Sequence, residues 1–201
     1  MSEKTDRRTR KTKEALLKEF ILLLEEKEIK DISVKELSER ADINRGTFYL
    51  HYSDIYDMLE QIETELFEEF NFVFANNADS FQSNSPLPLL LDLFHQIERR
   101  SELVKVFLGP HGDIAFMNRL TDLVSRYIEV VWEANAHQSN NLKFFNTFVV
   151  SGCVGLIKEW LNENQTKDNT LNKSPYYRKS PKEMAELCNQ IILQAFDIFS
   201  E

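Results

Sequence analysis

Glycine and proline number only five each in 201 residues, and neither occurs between Met1 and Arg45. With few alternating apolar and polar runs, that scarcity argues against sheet and leaves helix as the expected element throughout. Cysteine is rarer still. Cys153 and Cys188 are far apart in the chain, and neither belongs to a Cys-x-x-Cys pair, so buried free thiols are expected rather than a disulfide or a metal site. The four histidines show no His-x-x-x-His or His/Cys spacing that would set metal ligands on one helix face. Gly-x-Ser-x-Gly and glycine-rich phosphate loops are missing, and the pairs Glu25-Glu26 and Glu68-Glu69 read as solvated helix faces. No catalytic residue, metal or cofactor is therefore expected, and an enzyme is the weaker reading. Apolar runs long enough to span a bilayer are absent, as is an N-terminal apolar run behind basic residues, so a cytoplasmic protein is expected.

Positive charge is also short, with 24 Lys+Arg against 33 Asp+Glu and a net charge of −9, which by itself argues against a nucleic-acid partner. Its distribution argues otherwise. Up to Ser53 there are 12 basic and 11 acidic residues, net +1, leaving 12 and 22 for the other 148 residues, net −10. Lys4, Arg7, Arg8, Arg10, Lys11 and Lys13 face only Glu3 and Asp6 in the first 13 residues. This basic N-terminal arm suits DNA phosphates or an adjacent minor groove; the competing reading is a solvated tail.

What the chain does have is concentrated in Ser33–Ser53, SVKELSERADINRGTFYLHYS. Ser33 and Glu36 form a capping-box pattern, in which the serine accepts from the Glu36 N–H and the carboxylate reaches back to Ser33. A helix is expected from Val34, with Val34, Leu37 and Ala41 on its apolar face and Lys35, Glu36, Ser38, Glu39 and Arg40 in water. Asn44 caps a second short helix through His51, and Ile43, Phe48 and Tyr52 fold back onto the first. The pattern is a helix-turn-helix, whose second helix lays its leading residues on base edges in the major groove. Arg45 suits guanine, Asn44 adenine, and Thr47 offers a hydroxyl and a methyl; Gly46 permits close approach. Tyr49 and His51 are placed opposite Phe48, toward phosphates, and Ser33 and Lys35 at the head of the first helix join the candidate surface with Arg7, Arg8 and Arg10. A helical hairpin with no DNA role is the bland alternative.

The run RGTFYLHYSDIYDML resembles the signature segment of TetR/AcrR-type bacterial transcriptional regulators, with Gly46, Thr47, Phe48, Tyr49, His51 and Tyr52 matching in order over roughly Thr9 to Leu59. The resemblance implies an all-α homodimer with a divergent ligand domain. One departure is Ile55, where such regulators usually carry a lysine.

Elsewhere the apolar spacing predicts a first helix from about Thr12 to Glu28, a helix capped by Ser53 running to Ala75, and a loop over 76–88. Further helices are expected at 89–99, 101–108, 113–136, 142–164 and 181–199. The expected organisation is a DNA-binding domain at 1–53 and a helical ligand-binding and dimerisation domain at 54–201, with the helix after Ser53 belonging to both. Aromatic residues crowd the middle of the chain, so Phe94, His95, Glu98, Phe107, Phe116, Tyr127, Phe145 and Phe148 are the candidate ligand-binding residues, most of them equally explained as plain core. Gly152 and Gly155 interrupt a strong helical pattern at a propensity cost, which implies a close contact. With Leu156, Glu159, Leu187, Ile191, Gln194 and Ile198 they are the candidate dimer surface, an internal core seam being the alternative. The expected function is a dimeric DNA-binding regulator, a repressor that a small hydrophobic effector releases from double-stranded operator DNA. The alternative is a regulator of the same fold that recruits a protein partner.

Overall fold

A computed structural model describes residues 3–77, 85–134, 140–162 and 179–200, with side chains from Arg7 onward. Among them are nine α-helices and one short 3₁₀ turn, Ile29–Asp31, and no strand. The loop expected over 76–88 is shorter at both ends, since one helix runs to Asn76 and the next begins at Leu87; its residues 78–84, and residues 135–139 and 163–178, lie outside the described residues. No helix among the described residues is long and apolar enough to cross a membrane.

Contacts divide the chain into two units, with the division falling inside one helix, between Leu66 and Phe67. The first unit holds residues 1–66 and 106–113. Its helices are α1 (Glu3–Glu26), α2 (Val34–Arg40), α3 (Arg45–Phe48) and the first half of α4 (Ile55–Asn76). Leu16, Phe20 and Leu23 of α1, Leu37 of α2, Phe48 of α3 and Met58 of α4 are fully buried and form its core. The first helix begins at Glu3 rather than near Thr12, because no glycine or proline interrupts it and pairs such as Arg10 to Glu14, one turn apart at 3.5 Å, support its early turns. Arg7, Arg8 and Arg10 are thus exposed on a helix, not on an extended arm.

Capping follows the sequence only in part. The Ser33 hydroxyl accepts from the Glu36 N–H at 3.2 Å as expected. The Glu36 carboxylate does not return to Ser33, however; it accepts from Lys27 Nζ at 2.7 and 2.8 Å, because a full cation at the end of α1 outcompetes a neutral amide. At the start of α4 the cap is Asp54, not Ser53: its carboxylate accepts from the Asp57 N–H at 2.9 Å, while Asp57 accepts from the Ser53 N–H at 2.6 Å. That amide, and then the Gln61 side chain, hold the Asp57 carboxyl below its usual range.

The second unit holds residues 67–105 and 114–201. Besides the rest of α4 it contains α5 (Leu87–Arg99), most of α6 (Ser101–Phe107), α7 (Ile114–Ala134), α8 (Leu142–Asn162) and α9 (Pro181–Ser200). Its buried residues include an apolar cluster of Phe74, Leu89 and Leu123 and another of Trp132, Phe145, Val149, Ala195 and Phe196. The Glu69 carboxylate on α4 accepts from the Arg100 guanidinium and the Gln96 amide, tying α4 to the end of α5. A complete capping box starts α9, since Ser180 Oγ accepts from the Glu183 N–H at 3.3 Å while the Glu183 carboxylate accepts from the Ser180 N–H at 2.7 Å. Trp160 Nε1 donates to the Lys179 carbonyl at 2.7 Å just before that box. Both cysteines are free; Cys188 is buried as expected but Cys153 only half-buried, and the two thiols act on each other, lowering the Cys153 pKa and raising that of Cys188.

Candidate nucleic-acid interface

The turn between α2 and α3 is built from a C-terminal lock on α2. Asp42 adopts φ 53, the left-handed region normally left to glycine. The Ile43 N–H then donates to the Ser38 carbonyl at 2.9 Å and the Asp42 N–H to the Glu39 carbonyl at 3.3 Å, the paired bonds of a Schellman ending. Two residues later Asn44 Oδ1 accepts from the Gly46 N–H at 2.8 Å and opens α3. A Cβ at residue 46 would stand 3.2 Å from that cap oxygen, so glycine here already has a reason within the chain.

The platform beneath is braced by ions. Arg40 donates two bonds to Glu26, at 2.8 and 2.7 Å, and Lys27 pairs with Glu36, so both ends of α2 are pinned to the end of α1. Arg40 holds the Glu26 carboxyl below its ordinary range. Ser38, expected in water, is 1% exposed. The apolar stripe of α2 is wider than three residues, because Ser38 follows Leu37 and lies one turn from Val34, where the helix wedges against its neighbours.

Helix α3 is four residues long rather than reaching His51; turns continue it, with the Leu50 N–H donating to Thr47, His51 to Phe48 and Tyr52 to Phe48. Phe48 is 0% exposed and anchors the segment, with the Tyr49 ring edge-on to it at 5.5 Å and the Tyr52 ring at the same distance. Burial pushes the Tyr52 hydroxyl up to about 12, and Lys13 Nζ lies 5.4 Å from its ring centre. Ser33, Lys35, Asn44, Arg45, Gly46 and Tyr49 are exposed and Thr47 is half-buried. Arg45 rests 3.8 Å from Glu39, an exposed pair worth at most about 1 kcal/mol and easily given up to another anion. His51 is not opposite Phe48 but half-buried, its ring 6.3 Å from that of Tyr52. The residue that does stand opposite is Leu50, 79% exposed, which the sequence reasoning passed over. The signal was available: Leu50 is four residues from Gly46 and two from Phe48, so it shares the outward face. Ile55, in place of a lysine, is 4% exposed and belongs to the core.

In the second unit the expected ligand residues are dispersed. Phe94 meets Trp160 at 5.5 Å, Tyr127 meets Phe74 at 4.6 Å, and Phe145 sits in the Trp132 and Phe196 cluster. Phe116 is buried, Glu98 half-buried, and His95 and Phe148 exposed, while Phe107 belongs to the first unit. Of the dimer candidates, Gly152, Gly155, Glu159, Gln194 and Ile198 are exposed, and Leu156, Leu187 and Ile191 are half-buried. A Cβ added at Gly152 or Gly155 meets nothing within 4 Å. Exposed Phe144 lies on α8 with them, and Phe148 stacks 6.1 Å from Phe199 of α9.

Residues 84–170 match a TetR family described as "Transcriptional regulator C-terminal region". A 56-residue stretch is 38% identical to the uncharacterised HTH-type transcriptional regulator YxbF of Bacillus subtilis (strain 168), covering 27% of this chain and 15% of that protein. Both matches point to TetR-type transcriptional regulators. The fold agrees over nearly its whole length. A TerR/AcrR-family transcriptional regulator from Aquifex aeolicus VF5 superposes with a TM-score of 0.60 at 18% identity, over 92% of this chain and 99% of that one. The dihydroxyacetone kinase operon activator DhaS superposes at 0.55 with 16% identity, over 94% and 98%. In this chain α2 and α3 form the helix-turn-helix, and the C-terminal match lies in the second unit except for residues 106–113.

Proposed function

We propose that this chain is a TetR-type regulator, a two-fold dimer that grips operator DNA with α2 and α3 and is released by a small apolar or cationic effector bound in its second unit. The observation that carries the DNA reading is the division of α3 into two faces. Phe48 and Tyr52 are buried as anchors, while Asn44, Arg45, Gly46 and Tyr49 are all left in solvent on a capped, ion-braced turn. Their contacts within the chain, the Asn44 cap, the loose Arg45–Glu39 pair and the edge of the Tyr49 ring on Phe48, leave the side chains largely in solvent, and their chemistry suits base edges and phosphates. Ser33, Lys35, Thr47 and His51 border that surface, with Arg7, Arg8 and Arg10 reaching phosphates from a helix.

The dimer reading is supported by α8 and α9. Gly152 and Gly155 cost helix stability, yet no neighbour in the chain occupies the space they leave. The aromatic residues Phe144 and Phe148 and the Ile198 side chain lie exposed on the same two helices. A second copy of α8 and α9 would cover them and give the close contact the glycines permit. The effector reading leans on the aromatic content of the second unit, and α4 gives it a path, since this one helix supplies residues to both units.

The test is to select fragments of the source genome bound by the purified protein, footprint them, and assay a reporter from the promoter recovered. Footprints on two half-sites separated by about one helical turn, roughly 34–36 Å, and lower reporter output with the protein present are expected. Higher output would leave DNA binding intact and reverse the sign, as the name of operon activator DhaS says of that protein. No bound fragment would favour the regulator that works through a protein partner.

A further inference from the structure

We propose that Leu50 is a specificity-determining residue that reads the C5 methyl of a thymine in each operator half-site, an inference that rests on the DNA-binding reading above. Large apolar side chains left singly in water are common and need no explanation. Leu50 is a different case for three reasons. It is 79% exposed, the most exposed large apolar side chain among the described residues, on a segment where Phe48 and Tyr52 are buried and only the Tyr49 ring is also in solvent. Its backbone is held: the Leu50 N–H donates to the Thr47 carbonyl at 3.3 Å, and the Tyr52 N–H just beyond it donates to Phe48 at 3.1 Å. It also lies one turn from Gly46, whose missing side chain leaves a dent beside it, with only the Asn44 cap oxygen close to where a Cβ would be. The turn that continues α3 therefore presents an exposed leucine on a hydrogen-bonded backbone, one turn from a residue that has no side chain.

Around that leucine stand Asn44, Arg45, Thr47 and Tyr49, whose groups donate to bases and phosphates. A protein-binding patch would be expected to continue as apolar surface; this one ends in polar and cationic side chains after a single leucine and the Tyr49 ring. In the major groove the apolar feature on a base-pair edge is the thymine methyl. A leucine there rejects cytosine without forming a hydrogen bond, while Arg45 and Asn44 supply the polar readout.

The experiment replaces each thymine of the selected operator, one position at a time in both half-sites, by deoxyuridine, which lacks only that methyl. Wild-type full-length protein should lose about fourfold in affinity per half-site at one position, the factor that burying one methyl provides, and little elsewhere. Leu50→Ala should lose a similar factor on the thymine operator and become indifferent to deoxyuridine at that position, with its salt dependence unchanged. Loss of the discrimination in Thr47→Ser, which removes the neighbouring methyl, together with its survival in Leu50→Ala, would assign the thymine contact to Thr47 and overturn the inference. Since Leu50 is exposed, neither affinity nor discrimination should be lost through unfolding, and circular dichroism checks this. If the wild type binds the operator but treats thymine and deoxyuridine alike, or if Leu50→Ala keeps the discrimination, the inference is overturned and DNA binding stands. Full DNA affinity in Leu50→Ala would point to a protein partner at this face instead. Failure of the wild type to bind any selected fragment would overturn the parent reading and this one together.

Discussion

Replacing Gly155 by leucine separates the two readings of the α8 surface by sign. Within one chain, a Cβ at residue 155 meets nothing within 4 Å, so the new side chain enters open space. Exchanging glycine for a good helix former should then stabilise α8 by about 0.8 kcal/mol, whether or not the protein associates. In a two-fold dimer packed through this face the same leucine appears twice in the seam. Overpacking costs about 1–3 kcal/mol at each site, so association should weaken by about 2–6 kcal/mol, at least roughly 30-fold in dissociation constant. Sedimentation velocity over a concentration series measures that factor directly, and circular dichroism should show undiminished helix in the resulting monomer. A variant that stays dimeric while melting at higher temperature would leave the glycine face in solvent and refute the reasoning. One that stays dimeric and melts lower would assign the glycines to an internal seam.

Gly112→Ala should destabilise the protein by about 1–3 kcal/mol or more, because its Cβ would stand 2.0 Å from the Phe107 carbonyl oxygen, a backbone atom that cannot swing away; an unchanged urea midpoint would contradict it. Arg45→Ala should cost about 1–3 kcal/mol of operator binding and relax preference at one base position, while Tyr49→Phe should weaken specific and random DNA alike. Equal loss on both DNAs for Arg45→Ala would remove it from base readout. Alkylation with iodoacetamide in the native state should label Cys153 before Cys188, because the interaction of the two thiols lowers the Cys153 pKa and raises that of Cys188, and Cys188 itself is buried; mass spectrometry showing the reverse order would refute that pairing. Glu26, whose pKa is depressed by Arg40, contributes stability that is present above its ordinary value of 4.5 and lost as pH falls through the folded pKa. Arg40→Gln should therefore flatten the acid limb of a stability profile below about that pH, and a limb of unchanged slope would show the pair contributes nothing.

The sequence by itself determined the helical class, the helix-turn-helix and the family resemblance, because these rest on short-range rules. Apolar spacing, the Asn44 and Ser33 caps and the string from Arg45 to Tyr52 act within a few residues and are written in order along the chain. The ends of elements were less legible where two local partners competed: Asp54 displaced Ser53 as the cap of α4, and Lys27 drew Glu36 away from Ser33 from nine residues upstream. Only tertiary structure decided which residues depart from their expected exposure, since that depends on what wedges against a helix: Ser38 went inside, while Leu50 stayed out. It also decided that aromatic residues of the second unit fall into separate clusters, and that two cysteines 35 positions apart, on α8 and α9, shift each other's ionisation. Such pairings join residues distant in the chain, and no periodicity in a single sequence encodes which helix face will meet which.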